Sequence, residues 1–137
     1  IHWYRWLPMN FSDDFAMMIS VTCRPGEAPR SGGMVLRDGQ YIMIREARIE
    51  TGYDDSQCQE TLKGWARTDE REYEISGKVM SLIPLRNRRR SPEGETLTTR
   101  ITEGMTEYTC DGQVGYGLSE YLDQIVDGEP VGLKAGC

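Results

Sequence analysis

An Asp-Gly pair at residues 111 and 112 separates two runs of strand-like sequence near the C-terminal end of the chain. Asp-Gly between two such runs favours a two-residue β-turn, because both residues tolerate the positive φ angles that this turn needs. A two-residue turn also fixes which residues oppose one another. It therefore predicts an antiparallel hairpin in which Cys110 faces Gln113 and Glu103 faces Glu120.

Glu103 and Glu120 are expected to share the apolar face of this hairpin with Met105 and Leu118, because alternate residues of a strand point to the same side. We expect that face to line an enclosed, apolar interior. Two ionised carboxylates in contact there would repel each other, so one of them should hold a proton near neutral pH. A shared proton suits general acid and base catalysis, such as the hydration of an alkene, the dehydration of an alcohol or the migration of a double bond.

Two structural alternatives stay open for the glutamates. Gly104 can mark a β-bulge, which would shift the register by one residue and turn one glutamate outward. Alternatively, each glutamate forms a structural ion pair with an arginine, for example Arg100 or Arg86.

The rest of the chain also favours strands. Fifteen glycines interrupt it, and no long window shows the apolar period of a helix. Asp38-Gly39 predicts a second tight hairpin. Strands are predicted over residues 2–11, 15–23, 34–37, 40–49, 57–67, 71–85, 98–110 and 113–122, and a polar loop over residues 86–95. The prediction is an all-β fold, an antiparallel up-and-down meander of about eight strands that forms a lipocalin-like barrel or a partly open barrel.

We expect one β-domain over residues 1–126, followed by a C-terminal tail over residues 127–137 that wanders over the surface. The formal net charge of −6 argues against nucleic acid as a partner, and no apolar stretch is long enough to span a bilayer. Four cysteines without a Cys-x-x-Cys unit and a single histidine, His2, disfavour a metal site. No nucleotide-binding motif is present, so no cofactor is predicted. The cysteines are interpreted as reduced thiols of a cytoplasmic protein.

Further side chains are candidates for ligand binding. Arg86 directly follows a predicted strand, and its guanidinium fork, like that of Arg100, can hold a carboxylate or a phosphate. The alternative for the basic run around Arg86 is a solvated loop. Trp65, Tyr108 and Tyr116 offer aromatic faces that would stabilise a carbocation-like transition state.

Three runs of sequence, over residues 83–89, 99–106 and 115–122, carry a resemblance to a known group. They resemble the C-terminal domain of uncharacterised bacterial proteins that are similar to the lipocalin-like carotenoid hydratase (hydroxyneurosporene synthase) superfamily. The resemblance implies a lipocalin-like β-structure, a related β-domain upstream in the natural protein, and an isoprenoid- or lipid-like ligand. It assigns no catalytic residue to this chain.

The leading functional hypothesis is a domain that encloses a small apolar molecule, with Glu103 and Glu120 as acid and base in hydratase or isomerase chemistry. One alternative is a ligand carrier without chemistry. Another is a structural domain that docks a partner domain or forms a homodimer. A cavity lined by both glutamates would favour catalysis, whereas a filled interior with a large exposed apolar patch would favour docking.

Overall fold

The computed structural model describes residues 1–137, and about 72% of them lie in β-strands. The chain forms β1 (Trp3–Ser12), β2 (Phe15–Cys23), β3 (Arg30–Arg37), β4 (Gln40–Ile44), β5 (Glu46–Tyr53), β6 (Gln59–Arg67), β7 (Glu72–Arg90), β8 (Thr96–Cys110), β9 (Gln113–Val126), β10 (Glu129–Pro130) and a short 3-10 helix (Val131–Ala135). None of its helices is long and apolar enough to cross a membrane.

All ten strands belong to one antiparallel sheet. Its order is β4-β3-β2-β1-β9-β8-β7-β6-β5, and β10 adds to β9. The pairing of β1 with β9 brings the two ends of the chain together, while the two outermost strands, β4 and β5, are separated by Arg45 alone. No backbone ladder joins β4 to β5, so the sheet is a partly open barrel. The predicted all-β meander is confirmed.

The Asp111-Gly112 turn has positive φ at both residues, 51° and 73°, as a tight hairpin requires. Cys110 pairs with Gln113, and the register continues without a shift to Thr99 opposite Gln124. Asp38-Gly39 forms the second tight hairpin, with φ angles of 49° and 79°. Both hairpins predicted from sequence are confirmed.

Three predicted segments differ from the structure. Residues 40–49 form two strands rather than one, because the chain turns at Arg45. Residues 86–90 continue β7 rather than starting a loop, because they pair with β8 as far as Arg90 opposite Thr96. The C-terminal residues do not wander over the surface: Pro130 extends the sheet, and Gly132 and Cys137 are buried.

The concave, inner face of the sheet carries the core. Its apolar part includes Leu7, Phe15, Ile19, Val35 and Tyr108, all at most 2% exposed. Burial of such side chains is the main stabilising contribution to a fold of this kind, at roughly 25 cal/mol per Å² of apolar surface.

The inner face also holds a buried polar cluster that spans three strands. The amide nitrogen of Gln59 donates to the carbonyl oxygens of Thr102 (3.2 Å) and Ser119 (3.0 Å). Its amide oxygen accepts from the Thr102 hydroxyl at 2.7 Å, and Thr106 donates to the Ser119 hydroxyl at 2.9 Å. These hydrogen bonds offset the cost of burying polar groups, so the interior tolerates an alternation of polar and apolar residues.

A buried ion pair ties the C-terminal residues to the sheet. Arg5 on β1 and Asp123 on β9 are 0% and 1% exposed, and two guanidinium nitrogens lie 3.0 and 3.1 Å from the carboxylate oxygens. Asp123 also accepts from the backbone N–H of Gly132 at 2.8 Å, and Arg5 donates to the carbonyl of Cys137 at 3.2 Å. The ring of Tyr121 lies 4.2 Å from the guanidinium. The pair therefore fixes the 3-10 helix against β1 and β9.

Candidate functional site

Glu103 and Glu120 face each other across β8 and β9, as the hairpin register predicts. Both side chains are half-buried. The hydroxyl of Tyr4, on the neighbouring strand β1, donates a hydrogen bond of 2.6 Å to Oε2 of Glu120. Tyr4 is therefore a third polar group at this site, and it comes from a strand outside the hairpin.

A shared proton raises the pKa of Glu103 to about 7, from an ordinary value of 4.5. The first cause is the hydrogen bond with Glu120, followed by partial burial and by repulsion between the two charges. The pKa of Tyr4 also rises, through burial and then through its bond to Glu120, so this phenol stays protonated as a donor. The pair thus holds one proton below about pH 7.

The pair lies on the outer face of the sheet, and the prediction that it points into the interior was wrong. On β8 every second residue from Arg100 to Cys110 is buried, whereas Glu103 and Met105, at the alternate positions, point outward. The reason is the buried polar cluster. Its hydrogen bonds satisfy the threonine and serine side chains on the inner face, and the more apolar alternate residues therefore lie on the outer face.

Neither structural alternative for the glutamates is found. Gly104 pairs with Ser119 in unbroken register, and the bulge lies on β7, between Val79 and Ser81. A Cβ at Gly104 would lie 2.4 Å from the Ser119 hydroxyl, so a side chain there would displace this hydroxyl from the polar cluster. No ion pair of the chain involves Glu103 or Glu120.

An apolar band crosses the outer face beside the carboxyl pair. Neighbouring strands pair Met43 with Met34, Met34 with Met18, and Met18 with Pro8; Leu118 and Met105 continue the row on β9 and β8. We call these six residues the methionine band. With strands about 4.8 Å apart, it is roughly 24 Å long. Such a continuous apolar row on a surface marks a site of contact.

A groove of about 510 Å³ lies along part of this band. Most of its lining is apolar, contributed by β1, β2, β3, β4 and β9, and its outer-face residues include Pro8, Ala16, Met18, Met34, Leu36, Tyr41, Tyr116 and Leu118. Leu118 precedes Glu120 by two residues on the same face, and Glu120 lies opposite Trp6. The groove is therefore next to the carboxyl pair.

The three aromatic candidates lie in three different places. Tyr116 is exposed at the groove, and Tyr108 is buried in the core, where its hydroxyl donates to the Leu118 carbonyl at 2.6 Å. Trp65 lies on the outer face of β6, stacked against Arg48. The structure thus places Tyr116 near the glutamates on the outer face and Tyr108 on the opposite face, while Trp65 lies on the outer face of a different strand, β6.

Arg86 and Arg100 oppose each other across β7 and β8, away from the carboxyl pair. Arg86 is exposed, whereas Arg100 is 5% exposed and donates to the backbone carbonyls of Ser56 (3.4 Å) and Gln57 (2.5 Å). The two arginines therefore form a second group of candidate residues, separate from the glutamates.

Sequence reasoning missed Tyr4, Trp6 and the methionine band. The alternation of Met18 with Ala16 and of Met34 with Leu36 is visible in the sequence, and it gives the outer face of β2 and β3. The contact of Tyr4 with Glu120 depends on the pairing of the first strand with the last one. No local signal in the sequence specifies that pairing.

One family model, described as Domain of unknown function (DUF7064), matches residues 1–125 of the chain. The match covers β1 to β9, including the methionine band and the carboxyl pair. No curated protein and no solved structure matches the chain.

Proposed function

The chain belongs to this family of domains of unknown function, and we propose that it binds a small apolar molecule in the groove of the outer face. The ligand lies along the methionine band rather than inside the barrel. The observation that carries this proposal is the groove of about 510 Å³ with its mostly apolar lining.

The size and the lining of the groove support this function. Ligand sites in proteins measure roughly 300–1,000 Å³ and combine an apolar lining with a few placed polar groups. Met18 and Met34 are unbranched and polarizable, so they adapt to irregular apolar shapes such as isoprenoid or lipid chains. The interior is a poorer candidate, because its inner face is occupied by buried side chains that include the polar cluster and Arg5.

The carboxyl pair supplies the polar end of the site. Glu120 lies about 7 Å from Leu118 along the strand, within the reach of a ligand that occupies the groove. When the pair holds one proton, one carboxyl can donate and the other can accept, so the pair can hold a hydroxyl group by two hydrogen bonds. We therefore expect an elongated molecule with an apolar body and a hydroxyl at one end.

Binding can be tested with the neutral dye N-phenyl-1-naphthylamine, whose fluorescence rises in apolar surroundings. We expect the wild type to bind it and Ala16→Trp to bind at least tenfold more weakly, because the indole would fill the groove. Met34→Gln should weaken binding less. Met80→Gln is the matched control, since Met80 is exposed on β7 and does not line the groove.

Equal dye binding by the wild type and Ala16→Trp would contradict the proposal. Sedimentation of the same samples adds a second criterion. If the protein is a dimer that must dissociate before the dye binds, the methionine band is an interface between two copies of the chain. The proposed ligand-binding function would then be wrong.

A second candidate function is acid and base catalysis by the carboxyl pair, favoured by the shared proton at Glu103. In the hydration of an alkene, the protonated glutamate would give its proton to one carbon. The ionised glutamate would take a proton from the water that attacks the other carbon, so that the pair ends with one proton as before. Tyr4 would hold Glu120 in position.

The catalytic candidate is tested by incubating the protein with an isoprenoid alcohol in D₂O and measuring deuterium in the recovered alcohol. Catalysis would be supported if the wild type introduces deuterium into carbon–hydrogen bonds of the alcohol and the variants Glu103→Gln and Glu120→Gln do not. The control is Glu74→Gln, because Glu74 is exposed on β7 and does not line the groove. No incorporation by the wild type, together with normal dye binding, would leave the carrier function and exclude catalysis on this substrate.

A further inference from the structure

The ends of β7 and β8 project from the barrel as a two-stranded ribbon. β6 pairs with β7 only as far as Lys78, and β9 pairs with β8 only from Thr99 onward. Residues 86–98 therefore have no neighbouring strand beyond the β7–β8 ladder. This ribbon is separate from the groove and from the carboxyl pair.

One face of the ribbon is basic. Arg86 is opposite Arg100, Arg88 is opposite Thr98, and Arg90 is opposite Thr96. Opposed residues share a face, and so do residues two apart along a strand, so four guanidinium groups line one side. The chain as a whole has a net charge of −6, which makes this concentration of positive charge a local feature.

The arginines on this face have no acidic partner. No ion pair of the chain includes Arg86, Arg88, Arg90 or Arg100. Asp123 is opposite Arg100 in register, but its carboxylate is bound to Arg5 and to the Gly132 N–H. Two like charges directly opposed across a ladder, as in Arg86 and Arg100, destabilise it unless something neutralises them.

Arg100 adds an independent observation, because it is buried and incompletely bonded. Its side chain is 5% exposed, and its only hydrogen bonds go to the backbone carbonyls of Ser56 and Gln57. The Nε atom is buried without any hydrogen-bond partner. Buried charges are ordinarily paired with an opposite charge, and every buried N–H ordinarily has an acceptor.

We propose that Arg86, Arg88 and Arg100 form a binding site for a phosphate group. A phosphate presents several acceptor oxygens to planar guanidinium forks, and its negative charge would neutralise the opposed arginines. One oxygen would accept from the unpartnered Nε of Arg100, and Arg86 and Arg88 would close over the group from the exposed side. The site takes either free phosphate or the phosphate of a lipid headgroup, since both offer the same oxygens.

The test is titration of the whole chain with inorganic phosphate at constant ionic strength, followed by the Nε–H resonances of arginine in NMR spectra. We expect the Arg100 resonance to shift and saturate, and thermal unfolding to move to higher temperature with phosphate. Arg86→Gln should weaken binding about tenfold. Arg24→Gln is the matched control, because Arg24 is an exposed arginine in the loop between β2 and β3.

Vesicles of phosphatidylcholine with and without phosphatidic acid distinguish the two sources of phosphate. Binding only to the vesicles with phosphatidic acid, lost in Arg86→Gln, would identify a headgroup. Saturable binding of inorganic phosphate without vesicle binding would identify the free ion, and both results support the site. The proposal is wrong if neither probe shifts the Arg100 resonance, or if Arg24→Gln weakens binding as much as Arg86→Gln does.

Discussion

At the scale of single residues, the proton shared by Glu103 and Glu120 makes stability depend on pH. The pKa of Glu103 is about 7 in the folded chain and 4.5 when free, so the folded state binds this proton more tightly. Its stabilising contribution is complete below pH 4.5 and is lost as the pH rises to about 7. Glu103→Gln imitates the protonated form at every pH.

We expect Glu103→Gln to match the wild type at pH 4 and to exceed it at pH 8. Allowing for screening by solvent at this half-exposed site, the gain is about 1 kcal/mol, or ~4 °C in Tm. Thermal unfolding at pH 4 to 8 measures it, with Glu107→Gln as the control. A constant difference between Glu103→Gln and the wild type across this range would show that the two carboxyls share no proton.

The buried ion pair allows a second prediction at this scale. Asp123→Asn leaves the guanidinium of Arg5 buried without its opposite charge, which costs about 3–5 kcal/mol of unfolding free energy. Urea unfolding measures the loss. The double variant Arg5→Met with Asp123→Leu should be more stable than Asp123→Asn, because it removes both charges. If Asp123→Asn unfolds at the same urea concentration as the wild type, the pair does not hold the C-terminal residues.

At the scale of strands, β1 and β9 approach so closely that Gly117 admits no side chain. A Cβ there would lie 1.9 Å from the carbonyl oxygen of Pro8. We expect Gly117→Ala to push the strands apart and to cost about 2 kcal/mol in urea unfolding. Gly32→Ala on β3 is the control, since nothing lies within 4 Å of its Cβ position. Equal stability of the two variants would mean that the β1–β9 contact is adaptable.

Local elements were predictable because their signals are local. The Asp111-Gly112 turn predicts the pairing of Glu103 with Glu120, each eight residues from the turn. The extension of β7 to Arg90 was missed, because a run of arginines is typical of a solvated loop. It is a strand only because β8 is long enough to pair with it.

At the scale of the whole molecule, the inward and outward faces could not be assigned from hydrophobicity alone. On β8, Ile101 and Met105 are more apolar than Thr102 and Thr106, yet the threonines are inside. Their burial depends on Gln59, which lies on a strand more than forty residues away in sequence. The glutamates were therefore correctly paired but placed on the wrong side of the sheet.

The gap between β4 and β5 gives a prediction for the whole barrel. Beside this gap, the Ala47 N–H of β5 donates to the side-chain hydroxyl of Ser31 on β3 at 2.9 Å, and no backbone ladder joins β5 to these strands. In native-state hydrogen exchange we expect the Ala47 amide to exchange faster than the amides of β8 and β9, and faster still in Ser31→Ala. Equal protection of these amides would indicate that the sheet closes at this point.

The methionine band also exposes the molecule to chemical damage. Met43 and Met105 are 56% and 54% exposed, whereas Met9 and Met17 are 3% exposed. Peroxide would convert the outer thioethers to polar sulfoxides first, leaving those in the core reduced. An oxidised chain would remain folded but lose its attraction for oily compounds, and methionine sulfoxide reductases could restore it.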